Sequence, residues 1–385
     1  MSFSLRILDD RSIGRYFQAA ALGYIFPLLP SSLQDKVLEG FSQGSTSLTS
    51  TEVATIINTL SSEVSKVCQS KRSFPRWYLA GVGDSKILAS ITFKGEFEGW
   101  CNWLISAAQF TIKKPDIEVR TPMFLKAYVF SKYRDVGKAE KEDINALSLY
   151  VAAVGAVVSL VAGELRRGEN VYELYVVPDT SLDSIKEAFK LYSLLHISIH
   201  DEGLEDILRG LLRNESLSYE LAIIFATALH VYRASLSAAK MSLSGFYNLF
   251  ERYRLVNIKP EMRPQVQWER PLSLTPLLKQ LEERRVLDLL YHLYTCTSYS
   301  IKFAERVERA ADITAQCISS MFAYLEAGSL DSLLACVASA TRVAEKFSEL
   351  CYKAGQAKAS DAESLCSAER EFKFLVKDIA KLHAF

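Results

Sequence analysis

Apolar residues recur at three- and four-residue spacing through most of this chain, and that spacing predicts helices. Asp10–Leu28 and Ser31–Phe41 carry such stripes. After a break at Gly44, Ser45 and Thr46, Ser50 or Thr51 is placed to cap a longer helix, in which Val53, Ile56, Ile57, Leu60, Val64 and Val67 recur. The most regular pattern is C-terminal. Leu272–Tyr294 reads as one helix, and Phe303, Val307, Ala310, Thr314, Cys317 and Met321 form the next stripe. Leu330, Leu334, Val337, Thr341 and Ala344 repeat the rhythm beyond Gly328-Ser329, and Leu365, Phe372, Leu375, Ile379 and Leu382 repeat it again. Stripes of this width joined by short loops predict an up-and-down helical bundle. No heptad run is long enough for an extended coiled coil, and no solenoid-type repeat is visible.

Between these regions the texture changes. Trp77–Val82 and Lys86–Lys94 read as two strands joined at Gly83-Asp84-Ser85, followed by a helix over Glu98–Phe110 and a strand over Phe124–Tyr133. Val171–Val177 is a further strand, stopped by Pro178-Asp179. These strands are expected to form one small sheet under an apolar helix that lies in Ile144–Gly163. Helices resume at Ser181–Leu195, Glu202–Leu212 and Ser216–Ala239. Met241–Arg270 is a linker or a strand-containing insertion, since Pro260, Pro264 and Pro271 interrupt regular structure around it. The expected fold is mainly α with a smaller α/β part. An N-terminal α+β domain with a small sheet spans 1–180, a helical middle region spans 181–270, and a C-terminal helical bundle spans 271–385.

A length of 385 residues suits two domains rather than one core. Ile144–Gly163 runs twenty residues without a charge, which is long enough to span a bilayer. It is rich in Ala and Gly, holds Asn145, Ser148 and Ser159, and has basic residues at both ends (Lys138 and Lys141, Arg166 and Arg167). We read it as a buried, closely packed helix, with a membrane span as the alternative. No clean apolar run accompanies Arg6 and Arg11, so no secretory signal is expected. The seven Cys are scattered without a CxxC pair, which argues against a zinc ribbon. Buried thiols in a reducing cytoplasm are the expectation.

Net charge is zero, yet it is unevenly spread: 1–134 carries +5, 135–240 carries −6 and 241–385 carries +1. Residues 66–134 hold 12 Lys and Arg against 5 Asp and Glu, together with 12 aromatic residues that include Trp77, Trp100 and Trp103. Basic groups interleaved with aromatic ones suit a surface that neutralises phosphates and stacks on bases. The candidate nucleic-acid-binding residues of this cluster are Lys71, Arg72, Arg76, Lys113, Lys114, Arg120, Lys132 and Arg134, with Trp77, Tyr78 and Lys126 beside them. A second cluster, Arg252, Arg254, Lys259 and Arg263, with Arg270, lies in the proline-broken segment near Tyr253 and Trp268. Asn257, Gln265 and Gln267 there are candidate base readers. For either cluster the plain alternative is surface charge over an aromatic core.

Other motifs are weaker. Gly81-Val82-Gly83-Asp84-Ser85-Lys86 lacks the four-residue spacing of a phosphate-binding loop and reads as a hairpin turn. His196, His200, Asp201 and Glu202 sit together, but a metal site built on them needs ligands from elsewhere. Only His230 and His292 could supply these, and neither has a useful carboxylate beside it in sequence. Solvated or structural histidines are expected, with no metal and no cofactor. No GxSxG elbow or Cys/His pairing points to an enzyme.

The layout as a whole, with VYELYVVPD closing a mixed first part and SLSGFYNLFERYRLVNIKP inside a mostly helical second part that ends in a bundle, resembles the large subunit of archaeal type I-A CRISPR surveillance (Cascade-like) complexes. The resemblance implies a non-catalytic, cytoplasmic subunit in antiviral defense. It would read the flanking motif of target DNA and stabilise the opened strands. Its partners would be guide RNA, target DNA, backbone subunits, a small helical subunit and a helicase–nuclease. The alternatives are a structural helical interaction protein that binds no nucleic acid, and a metal-dependent nuclease using His196, His200 and Asp201.

Overall fold

A computed structural model describes residues 2–9, 12–70, 82–95, 99–122, 143–159, 164–167, 170–180, 253–259, 265–272, 287–328 and 330–382, with isolated positions at 125, 185–186, 188–189, 217, 221–222 and 225. The chain is mainly α with a smaller α/β part. It divides into two compact units, Met1–His200 with Leu249–Ser273, and Asp201–Asn248 with Leu274–Phe385.

The first unit opens with a strand, β1 (Ser2–Arg6), which pairs antiparallel with β2 (Ser45–Thr49). Between them lie α1 (Ile13–Ile25) and α2 (Ser31–Gln43). Ser12 caps α1 by accepting a hydrogen bond from Gly14 N, and Gly44, in the left-handed region at φ 81°, ends α2. The far edge of β1 is closed by side chains. Gln18, fully buried, accepts from Leu8 N at 2.8 Å and donates to Arg6 O at 2.9 Å and Ser148 O at 3.2 Å. Ser148 Oγ accepts from Arg6 N at 2.9 Å, and Asn145 Nδ2 donates to Ser4 O at 2.6 Å. Main-chain groups that would otherwise be buried unpaired are satisfied in this way.

Next comes α3 (Ser50–Ser70). Its cap is Thr49, one residue before the expected Ser50 or Thr51. Glu52 N donates to Thr49 Oγ1 at 3.3 Å while Glu52 Oε2 accepts from Thr49 N at 2.8 Å, a reciprocal capping box. Glu52 also pairs with Lys36 of α2 at 2.8 Å. The Lys36 and Thr49 hydrogen bonds hold the Glu52 carboxyl below its ordinary pKa. A carboxylate with a lowered folded pKa stabilises above its unfolded value and stops doing so as pH falls through the folded one. Glu52→Gln keeps an oxygen for the capping box and removes the charge that Lys36 meets, so it is expected to lower stability by about 0.5 kcal/mol at neutral pH. In thermal melts the gap from wild type should close below roughly pH 4; a gap that is constant with pH would remove the assigned cause.

Residues 82–89 correct the sequence reading. The expected turn at Gly83-Asp84-Ser85 is inside a helix, α4 (Val82–Ala89), so neither a hairpin nor a phosphate loop forms there. Of the expected first strand, Trp77–Val82, all but Val82 lies outside the described residues, as does Phe124–Tyr133 apart from Leu125. α5 (Trp100–Lys113) follows, then a short antiparallel pair, β3 (Glu118–Arg120) and β4 (Asp143–Asn145). Asn145 caps α6 (Ala146–Val158) through Oδ1, which accepts from Ser148 N at 2.9 Å. Every residue of α6 is buried. Its 13 residues are too few to span a bilayer, and no helix among the described residues is long and apolar enough to cross a membrane.

Among the described residues, the strands do not form one sheet beneath α6. β5 (Glu164–Arg167), β6 (Asn170–Pro178), β7 (Tyr253–Lys259) and β8 (Gln265–Leu272) make a four-stranded antiparallel sheet in that order. The proline-broken segment is thus a strand-containing insertion that returns to the first unit. Pro271 sits inside β8, which it tolerates because β8 is an edge strand among the described residues. Among the described residues, the helix on this sheet is α1, whose Phe17 meets Tyr175 of β6 edge-to-face at 5.0 Å between ring centroids. α6 packs instead on α1, α3 and α5. Its Gly155 lets the two helix backbones touch: a Cβ there would overlap the Phe17 carbonyl.

The second unit contains α7 (Leu287–Lys302), α8 (Ala310–Ala327), α9 (Leu330–Gln356) and α10 (Ala362–Leu382). Gly328 ends α8 in the left-handed region at φ 70°. Lys302, late in α7, donates to Ser364, early in α10, and His292, early in α7, meets Glu371 midway along α10 and Asp378 late in it. The two helices therefore run antiparallel, as the apolar stripes predicted. Leu333, Cys336, Ala340, Val343, Ala344 and Phe347 of α9 face Leu365, Ala368, Phe372, Leu375 and Ile379 of α10 across the core.

Six of the seven cysteines are paired, which overturns the expectation of free thiols. Cys68–Cys101 ties α3 to α5, Cys317–Cys336 ties α8 to α9, and Cys351–Cys366 ties α9 to α10. Cys296 is free and fully buried, and burial, with Glu371 adding, pushes its thiol pKa up, so it stays protonated and inert.

Candidate nucleic-acid interface

The basic-aromatic region resolves into two kinds of residue. Trp100 and Trp103, 3% and 1% exposed, are core side chains rather than stacking platforms. Their rings meet edge-to-face, and Trp103 Nε1 donates to Leu88 O at 2.7 Å, joining α5 to α4. Their large apolar bodies fill the interior and the indole N–H finds the one partner it needs.

The opposite face of α5 is exposed. Asn102, Ile105, Gln109 and Lys113 line it at three- and four-residue spacing, and α5 contains no acidic residue. At its C-terminal end the stripe meets Phe93, which is 55% exposed. Lys113 Nζ lies 5.0 Å from the Phe93 ring centroid, and Lys114 Nζ lies 5.7 Å from that of Phe110. The two phenyl rings are tilted against each other at 5.5 Å. A helix C-terminus attracts cations whatever else is present, so the position of Lys113 and Lys114 has a structural cause of its own. What that cause does not account for is a large apolar ring left in solvent under the ammonium group.

Phe93 was missing from the sequence candidates because Lys86–Lys94 reads as a strand. The helix ends at Ala89, Leu88 and Ile91 are buried, and Phe93 falls in the bend before Gly95, which sits at φ 70°. The available signal was an apolar residue left over once Leu88 and Ile91, three apart, had supplied the buried face.

The remaining candidates are divided. Arg120 on β3 is exposed, opposite Asp143 of β4, and Lys259 at the end of β7 is exposed. Arg254 is withdrawn from the binding set, because its own protein holds it. Its Nε lies 3.1 Å from Asp179 Oδ2, its Nη1 bonds Glu269 Oε1, and the guanidinium lies over the Tyr16 ring at 6.0 Å. Burial alone would lower the pKa of this group. The hydrogen bond to Glu269 and the charges of Tyr16, Asp179 and Glu269 more than reverse that and raise it. Asn257 is withdrawn as a base reader, being 1% exposed. Lys71, Arg72, Arg76, Lys132, Arg134, Arg252 and Arg263 lie outside the described residues.

His196, His200 and Asp201 also lie outside them. His292 does have carboxylates beside it in space: Glu371 reaches Nδ1 at 2.8 Å and Asp378 reaches Nε2 at 3.3 Å. The two acids approach opposite ring nitrogens, so the imidazole links α7 to α10 and the three groups do not converge on one point. Among the described residues, no group of three or more His, Cys, Asp or Glu could hold a metal ion.

The fold and this surface define a mainly helical two-unit protein with an acid-free helix face ending in an exposed aromatic–lysine cluster. No protein-family model, no curated protein and no solved structure matches the chain.

Proposed function

We propose that this chain is a non-catalytic, nucleic-acid-contacting subunit of a CRISPR RNA-guided DNA surveillance complex, the role implied by its resemblance to the type I-A large subunit. In that role it recognises the flanking motif of target DNA and helps hold the opened strands, in company with guide RNA, backbone subunits, a small helical subunit and a helicase–nuclease. The observation that supports nucleic-acid contact is the acid-free exposed face of α5, closed by Lys113 over Phe93. A face with donors and cations and no carboxylate can follow a phosphate backbone without internal repulsion. A cytoplasmic location belongs to the same proposal. Three disulfides then fit a chain from a hyperthermophile, whose intracellular proteins keep such bonds.

The test is a gel shift with short DNA across a salt series. Wild type should shift DNA near 50 mM salt, roughly, and lose affinity log-linearly as salt rises. Lys113→Ala/Lys114→Ala should reduce the log–log slope by about two. Absence of any shift at the lowest salt, for single strand and duplex alike, would sink the proposal.

A second reading is a structural interaction protein. What favours it is the internal use of Trp100, Trp103 and Arg254, three of the groups that first suggested nucleic acid. The same gel shift separates the two.

A further inference from the structure

We infer that the Phe93–Lys113–Lys114 cluster takes an unpaired nucleotide, the base stacking on the Phe93 ring and the phosphates lying against the two ammonium groups. This rests on the nucleic-acid reading above and specifies the form of nucleic acid the site accepts. The argument is one of shape and charge. A base inside a duplex has both faces covered by its neighbours, so a phenyl ring on a protein surface can stack only on a base that has left the stack. Phe93 is a ring of this kind: it stands beyond the end of α4, more than half exposed, braced by Phe110 at 5.5 Å. Bracing matters because a ring already fixed loses little freedom when a base settles on it.

The cations are placed for the same ligand. Lys113 and Lys114 are consecutive and both exposed, and each ammonium lies near one ring of the braced pair. A phosphate backbone crossing the end of α5 meets both charges, and the base takes the Phe93 face as the Lys113 ammonium, 5.0 Å from the ring centroid, moves off the ring to a phosphate. Upstream, Gln109 and Asn102 continue the face for about 16 Å along the helix, offering uncharged donors to further phosphates or sugars. Nothing in the cluster reads base identity, because a phenyl face presents no hydrogen-bonding pattern. Binding is therefore indifferent to sequence, and the chemistry fits unpaired DNA and unpaired RNA alike.

The experiment measures fluorescence anisotropy of the full chain with four probes at low salt: labelled oligothymidylate, oligouridylate, a mixed-sequence single strand, and a duplex of the mixed sequence. Wild type should bind the single strands more tightly than the duplex. Phe93→Leu keeps the apolar volume and removes the π face. It should weaken single-strand binding roughly tenfold and leave duplex binding unchanged. Lys113→Ala/Lys114→Ala should weaken every probe. Phe93 is exposed, so the variant should melt with wild type in circular dichroism. If Phe93→Leu binds single strands as wild type does, the stacking site is overturned while nucleic-acid contact stands. If wild type binds none of the probes, both fall. Equal affinity of the two sugars supports a shared stacking site, whereas a strong preference for duplex overturns it.

Discussion

Gly155→Ala is expected to prevent the first unit from reaching its native packing, with a stability loss of about 3 kcal/mol or more. The new Cβ would sit far inside van der Waals contact distance of the Phe17 carbonyl oxygen, its carbonyl carbon and its Cα. All three are backbone atoms of α1, so no rotamer change relieves the overlap. α1 cannot retreat, because Phe17 and Tyr16 on its other side meet Tyr175 and Glu269 of the sheet. α6 cannot retreat either, since every one of its residues is buried. Interiors at this density transmit a displacement rather than absorb it. Two other glycines provide the contrast. At Gly14 an added Cβ meets mainly the Leu8 Cδ1 methyl, the far end of a flexible side chain, and a smaller loss is expected. At Gly355, in an exposed turn of α9, nothing lies within 4 Å, and alanine should stabilise by about 0.5–1 kcal/mol. Thermal melts of the three variants check the order; a Gly155→Ala melt like that of wild type would mean the α1–α6 contact is not as close as described.

That contact also shows what the sequence conveyed and what it hid. The charge-free run through residues 144–163 announced a buried helix, and its Ala and Gly content announced close approach. Nothing in it says which element comes close, and the sheet was the wrong partner: the partner is α1, more than a hundred residues earlier. The bundle stripes were legible because period 3.6 is written locally in each helix. β1 and β2 were not, because SFSLR and STSLT are short and mostly polar and find each other only across α1 and α2. Val82-Gly83-Asp84-Ser85 has the composition of a turn, and tertiary packing overrode that propensity.

The interface had the same limit. Local charge was visible, and Lys113 and Lys114 are where the count put them. Whether an arginine is free depends on acids distant in the chain. Arg254 is engaged by Asp179 and Glu269, 75 and 15 residues away, and no window of composition reports that. Aromatic content had the same ambiguity, since Trp103 and Phe93 count alike in sequence and differ from 1% to 55% in exposure. Cysteine spacing is the extreme case, because pairing is a property of the fold alone.

Reduction of the disulfides is expected to be the largest single loss of stability in the second unit. Cys317–Cys336 and Cys351–Cys366 close loops of 19 and 15 residues, one after the other, with no overlap. Chain entropy assigns each about 3 kcal/mol, so the pair contributes about 6 kcal/mol, comparable to the whole margin of many domains. A loss of that size in a unit of this length lowers the melting temperature by roughly 20 °C. The bonds should not open together. Cys351, Cys366, Cys68 and Cys101 are part-exposed, whereas Cys317 and Cys336 are buried between α8 and α9. A small thiol reductant attacks by direct approach to sulfur, so it should open the first two bonds in the native protein and leave Cys317–Cys336 until the bundle unfolds. Mass-resolved alkylation during a reductant titration reads that order, and calorimetry with and without reductant reads the shift. Before reduction, denatured protein should show one reactive thiol, from Cys296. Seven reactive thiols in protein purified without reductant, or a melting temperature indifferent to reductant, would return the cysteines to ordinary core residues and take with them the argument for a chain stapled against heat.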